Sequence, residues 1–122
     1  MKWEFKDDRP IYLQIAETVK TAVVSGEIPP GERLSSVREL AAEAGVNPNT
    51  MQKALLELER SGLVFSSRTS GRFVTADNAL IASEKQSLAR EKTEEFVRQM
   101  DSIGIKKDEI IQILSERNDL SE

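Results

Sequence analysis

Between positions 49 and 53 the chain carries Asn49, Thr50, Gln52 and Lys53 in one short run. Amides, a hydroxyl and an ammonium are the groups that bond base edges and phosphate oxygens. Met51, Leu55 and Leu58 fall at i, i+4 and i+7, which predicts the buried stripe of a helix. The polar run is then left on or near the exposed side. Arg38 precedes this run, and Arg68 and Arg72 follow it, bracketing Thr69-Ser70-Gly71. The chemistry on offer is recognition rather than bond-making. The chain has no cysteine and no histidine, which removes the usual zinc sites, Cys–His nucleophiles and Ser–His–Asp triads. Its carboxylates are scattered, and it has no Gly-rich phosphate loop and no metal cluster. The sequence therefore predicts neither an enzyme nor a cofactor.

The elements that must hold those residues are legible around them. A helix is expected over Val37 to Ala44, capped by Ser35 or Ser36. Glu39, three residues past Ser36, makes a capping box available. Gly45 stops that helix. After a turn of Gly45-Val46-Asn47, Asn47 is a good N-cap and Pro48 suits the first helical position. The second helix is expected over Pro48 to Ser61, with Gly62 as its stop. Two helices joined by so short a turn form the helix-turn-helix pattern, whose second helix enters the major groove by its N-terminal residues. Leu63-Val64-Phe65 and Phe73-Val74 read as strands around a tight turn, with Gly71 supplying a positive φ. A basic hairpin in that place is the wing of a winged helix-turn-helix.

Upstream, Trp3-Glu4-Phe5 reads either as a short strand or as an arm against the next helix. That helix is expected over Ile11 to Val24, with Pro10 and Asp8 at its start, Gly26 at its end, and Ile11, Ile15, Val19, Ala22 and Val23 in its core stripe. Pro29-Pro30-Gly31 forces a loop, and Glu32-Arg33-Leu34 is a candidate third strand for the wing.

These pieces, in order, resemble the N-terminal domain of the GntR family of bacterial transcription regulators. The matching segments are P-I-Y-x-Q-I, S-V-R-E-L-A, G-V-N-x-N-T, A-L-x-x-L-E-x-x-G-L-V and the closing G-R-F-V, spread over about Pro10 to Thr75. The short C-terminal region resembles the YtrA-like branch. The resemblance implies operator contact by Arg38 and by the wing arginines Arg68 and Arg72. It also implies control of the protein's own operon, often one encoding transport proteins. Two positions depart from the family pattern: Pro48, where a basic or hydroxyl residue is common, and Gln52, where an arginine is common. Gln52 can still read adenine bidentately. The full candidate set for DNA contact is Ser36, Arg38, Asn47, Asn49, Thr50, Gln52, Lys53, Arg68, Thr69, Ser70, Gly71 and Arg72.

The net charge of −4 is not spread evenly: residues 1–76 hold ten cations and ten anions, and residues 77–122 hold seven and eleven. Binding is governed by the local field, so a small basic patch serves even in an acidic chain. The expected division is a DNA-binding domain over 1–76 and a helical dimerisation region over 77–122. In the tail, Gly104 breaks a long helix-prone run, and Asp108 is placed to cap a last helix. Leu88, Phe96, Val97, Met100, Ile103, Ile105, Ile110, Ile111, Ile113 and Leu114 give that hairpin more apolar surface than it can cover alone, which predicts pairing with a second copy. The expected architecture is mainly α with a small β-hairpin: a winged helix-turn-helix followed by a helical dimerisation hairpin. The expected partners are double-stranded operator DNA and a second copy of the chain. A competing reading is a winged-helix protein-interaction module that uses the acidic tail. MKWEFKDDRP lacks the apolar core of a signal peptide, and no segment approaches the ~20 apolar residues of a span. A cytoplasmic location with no membrane partner is therefore expected.

Overall fold

Two of the helices start and stop at the capping residues and glycines that the sequence supplies. A computed structural model describes residues 1–118. Along it run α1 (Ile11–Val24), α2 (Val37–Ala44), α3 (Pro48–Ser61), β1 (Val64–Ser67), β2 (Gly71–Val74), α4 (Asn78–Ser102) and α5 (Lys107–Ser115). The architecture is mainly helical with one antiparallel hairpin, a winged helix-turn-helix followed by C-terminal helices. The chain divides into two compact units, Met1–Lys85 and Gln86–Glu122. The last four residues of the expected dimerisation region lie outside the described residues. No helix among the described residues is long and apolar enough to cross a membrane.

In the first unit, α1 packs on α3, and α2 on α3. Their apolar stripes interlock: Ile15, Val19, Met51 and Leu55 are fully buried, together with Leu63, Val64 and Val74 from the hairpin. Ile11 is an exception to the expected stripe. It lies at the first residue of α1 and is exposed, because the 3.6-residue periodicity runs past the end of what α3 covers. Asp8 does not cap α1; the N-cap is Pro10, with no side-chain hydrogen bond.

Trp3-Glu4-Phe5 forms an arm rather than a strand. The arm is tied down at both ends. Buried Gln14 accepts from the Lys6 amide (2.8 Å) and donates to the carbonyls of Lys6 (2.7 Å) and Arg9 (2.8 Å). The Trp3 indole donates to Glu43 on α2 at 2.8 Å. A buried amide must have its donors and acceptor met, and this is the physical reason for a glutamine inside an otherwise apolar helix face.

The hairpin pairs Val64 with Val74, Phe65 with Phe73, Ser66 with Arg72 and Ser67 with Gly71. The strands extend into the serines, so the loop is Arg68-Thr69-Ser70 and Gly71 opens β2. Phe65 and Phe73 stack at 5.9 Å between ring centroids. Glu32-Arg33-Leu34 makes a single bridge, Arg33 to Phe73, rather than a full strand. The Leu34 amide donates to the Arg72 carbonyl and the Val74 amide to the Glu32 carbonyl.

In the second unit, Leu88 and Ile110 are buried, and Met100 and Ile105 are partly covered. Phe96, Val97, Ile103, Ile111, Ile113 and Leu114 stay exposed, Ile103 by 72%. Gly104, at φ +84°, makes the break expected there. Helix α5 begins one residue before Asp108, with Lys106 as an N-cap that makes no side-chain bond. Asp108 therefore stands in the first turn, where its charge meets the helix dipole, instead of capping.

Candidate nucleic-acid interface

Caps fix both the start of α2 and the turn between α2 and α3. Ser36 Oγ accepts from the Glu39 amide (3.1 Å) and Glu39 Oε1 from the Ser36 amide (3.0 Å), a complete capping box. The Glu39 carboxyl is held below its usual value, first by the Ser36 amide and then by the Ser36 hydroxyl. Gly45 takes φ +73°, which lets the Val46 amide return to the Ala41 carbonyl at 3.0 Å; that conformation suits glycine. Asn47 Oδ1 accepts from the Asn49 amide at 2.7 Å, and Pro48 begins α3.

Pinned in this way, α3 buries Met51, Ala54, Leu55 and Leu58 and turns Asn49, Gln52 and Lys53 to solvent, with Thr50 half-buried beside them. Asn49, Gln52 and Lys53 fall at i, i+3 and i+4, so they share one face. Ser36 and Asn47 spend their side-chain oxygens on caps, and the Asn47 amide hydrogens are left as free donors. Arg38 is exposed in the first turn of α2. Among the described residues, no carboxylate lies within salt-bridge distance of Arg33, Arg38, Lys53 or Arg68. All four are left able to meet an anion.

Arg72 differs from Arg68. Arg68 is exposed in the wing loop, and the Thr69 and Ser70 hydroxyls lie 3.4 Å from each other beside it. The Arg72 side chain is only 16% exposed, and its Nε sits 3.3 Å from Glu59 on α3. The other oxygen of Glu59 accepts from the Ser66 hydroxyl at 2.6 Å. Since Ser66 and Arg72 are cross-strand partners, one carboxylate near the end of α3 clamps both strands of the wing. Much of the Arg72 charge is thereby neutralised within the chain.

Two residues outside the expected set stand at this surface. Arg33 Nε donates to the Ser70 carbonyl at 2.7 Å, bracing the wing loop from below. Gly71, at φ +95°, leaves room for it; a Cβ there would come within 3.1 Å of Arg33 Nε. Tyr12, in the first turn of α1, holds its ring 4.1 Å from the Lys53 ammonium. A cleft of about 270 Å³ runs between the start of α2 and the wing, lined by Ser35, Ser36, Arg33 and Arg72 among others. An open hollow of about 390 Å³ borders Tyr12, Asn49, Thr50 and Lys53. Only the arginine in G-E-R-L signalled Arg33, and only its position off the core stripe signalled Tyr12.

A buried three-helix core, a braced hairpin and an exposed polar face on the second helix of the motif define a winged-helix regulator of transcription with a DNA-binding domain. Residues 11–74 match the model of the bacterial regulatory proteins, gntR family, and the chain belongs to that family. It is 40% identical to the uncharacterized HTH-type transcriptional regulator YhcF of Bacillus subtilis (strain 168), over 89% of this chain and 90% of that one. It is 30% identical to the HTH-type transcriptional repressor YtrA of the same organism, over 91% and 86% of the two chains. A GntR family transcriptional regulator from Listeria monocytogenes superposes with a TM-score of 0.84 at 37% identity, covering 93% of this chain and 100% of that one. The AraR(DBD), solved in complex with operator ORR3, superposes with a TM-score of 0.53 at 31% identity, over 62% and 88% of the two chains.

Proposed function

We propose that the protein is a homodimeric repressor that occupies a palindromic operator, with residues 1–76 as the DNA-binding domain and 77–122 as the dimerisation region. The observation that carries this reading is the exposed polar face of α3, Asn49, Gln52 and Lys53, set just after an N-capped turn. In this reading the amino end of α3 enters the major groove. Gln52 and Asn49 bond base edges, and Thr50 and Lys53 meet the backbone. Arg38 contacts the operator from α2, with Ser36 and the free amide donors of Asn47 nearby. The wing residues Arg68, Thr69, Ser70 and Gly71 follow the backbone or minor groove. Arg72 joins them only by loosening its pair with Glu59.

One winged helix offers a small interface, and two copies on a two-fold site double it. The exposed Phe96, Val97, Ile103, Ile111, Ile113 and Leu114 support a second copy as the partner of the tail. Leu88 and Ile110 are already buried within one chain and take no direct part. The repressor role is supported by the name of the YtrA relative, and operator binding by the AraR complex.

A gel-shift titration against the DNA upstream of its own gene is the test. Binding should be sequence-selective and should weaken steeply with salt. Equal affinity for any duplex at moderate salt contradicts it.

A further inference from the structure

We infer that Tyr12 is a positioning residue for DNA binding: its ring holds Lys53 over its face and aims the ammonium at a backbone phosphate beside the bases that Asn49 and Gln52 read. The inference rests on the DNA-binding reading above.

Lys53 and Tyr12 stand on different helices whose relation is fixed. Helix α1 packs on α3 through Ile15, Val19, Met51 and Leu55, all fully buried. The ring therefore has a set place relative to the amino end of α3, and the ammonium lies 4.1 Å from its centroid. That is well within cation–π range, where the negative face of the ring attracts the cation.

The kind of partner matters as much as the distance. Among the described residues, no carboxylate lies within salt-bridge distance of Lys53. A carboxylate would orient the lysine and also neutralise it, as Glu59 does to Arg72. An aromatic face orients it and leaves the full charge, with ammonium hydrogens still free to donate outward. A lysine loses a large rotamer entropy when fixed. Fixing it before DNA arrives lowers the cost of binding, which is the gain from preorganisation. The ring, Lys53, Asn49 and Thr50 border one open hollow at the amino end of α3. The cation thus stands at the rim of the reading surface, where a backbone phosphate passes.

The experiment is a double-mutant cycle on a duplex selected from a random pool by the wild-type protein. Tyr12→Leu should weaken binding about two- to fivefold per half-site, the range of an exposed cation–π contact. In a Lys53→Met background the same change should do nothing further. Tyr12→Phe and Tyr12→Trp keep the aromatic face and should bind like wild type. In NMR spectra without DNA, the Lys53 ε-methylene protons should be shifted upfield by the ring in wild type and Tyr12→Phe, and return to ordinary values in Tyr12→Leu. Thermal melts of each variant separate loss of fold from loss of aim.

Equal binding by wild type and Tyr12→Leu overturns the role. So does a full additive loss in the Lys53→Met background, or a Tyr12→Phe protein as weak as Tyr12→Leu, which would assign the effect to the hydroxyl. A wild-type protein that enriches no duplex overturns the DNA-binding reading together with this role. The other failures overturn the role alone.

Discussion

The two compact units differ in how much of their apolar surface they bury. In Met1–Lys85 a closed core forms: Ile15, Val19, Met51, Leu55, Leu63, Val64 and Val74 are fully buried, while Ile11, Leu13, Leu56 and Phe65 stay exposed around it. In Gln86–Glu122, Leu88 and Ile110 are buried while six large apolar residues remain outside. The first unit satisfies its own core and keeps unpaired cations and amides for a polar partner. The second cannot satisfy its apolar surface within one chain, and large exposed apolar area marks an interaction surface. The contrast separates a DNA-binding unit with a closed core from a unit that leaves much of its apolar surface uncovered.

The largest expected effect falls on the first unit's core. Leu55→Ala should cost about 2–5 kcal/mol of folding stability in urea titration, since it empties a fully buried site. By contrast, Phe96→Ser combined with Ile113→Ser should leave the first unit's melt unchanged and convert dimer to monomer in sedimentation equilibrium. If that pair of changes lowers the first unit's stability as Leu55→Ala does, or leaves the dimer intact, the contrast between the units fails.

Next in size is Arg38→Ala. It should lower affinity for a selected operator by about 1–3 kcal/mol if Arg38 reads a base, with no change in melting temperature. Gly71→Ala should follow, through strain at φ +95° and a clash with Arg33. Forcing a side chain into such a region costs about 1–3 kcal/mol locally, read as faster amide exchange across β1 and β2 and weaker DNA binding.

A smaller effect is expected at the cap of α2. Ser36→Ala should cost about 1 kcal/mol, the usual worth of an N-cap, measured by denaturation. Smallest is the pH dependence of the same cap. The folded Glu39 carboxyl titrates below its unfolded value. Its contribution is therefore present above the unfolded value and is lost as pH falls through the folded one. Amide exchange in the first turn of α2 should rise over that acid window in wild type and much less in Glu39→Gln.

What was legible in the sequence was local. Gly45, Asn47 and Pro48 encode the turn because each answers a backbone need within four residues, and all three do so in the structure. The Ser36–Glu39 box and the stops at Gly62 and Gly104 are of the same kind. The side-chain braces were not legible, because their partners are far apart in sequence and no periodicity links them. Arg33 reaches Ser70 across 37 positions, and Trp3 reaches Glu43 across 40. Gln14 reads as one more residue of a core helix until its amide is seen holding the arm. Arg72 reads as a free wing cation by type, and only the approach of Glu59 changes that. The absence of caps from Asp8 and Asp108 has a simpler cause: a start displaced by one or two residues turns a cap into a bystander or a first-turn charge.

The central claim is that the exposed face at the amino end of α3 reads base sequence. The most direct measurement is selection from a random duplex pool by wild-type protein and by Gln52→Ala, sequenced side by side. The account predicts one enriched palindrome for wild type, and loss of preference at one position of each half-site for Gln52→Ala. The same palindrome enriched equally by both proteins, or no enriched sequence for wild type, contradicts it.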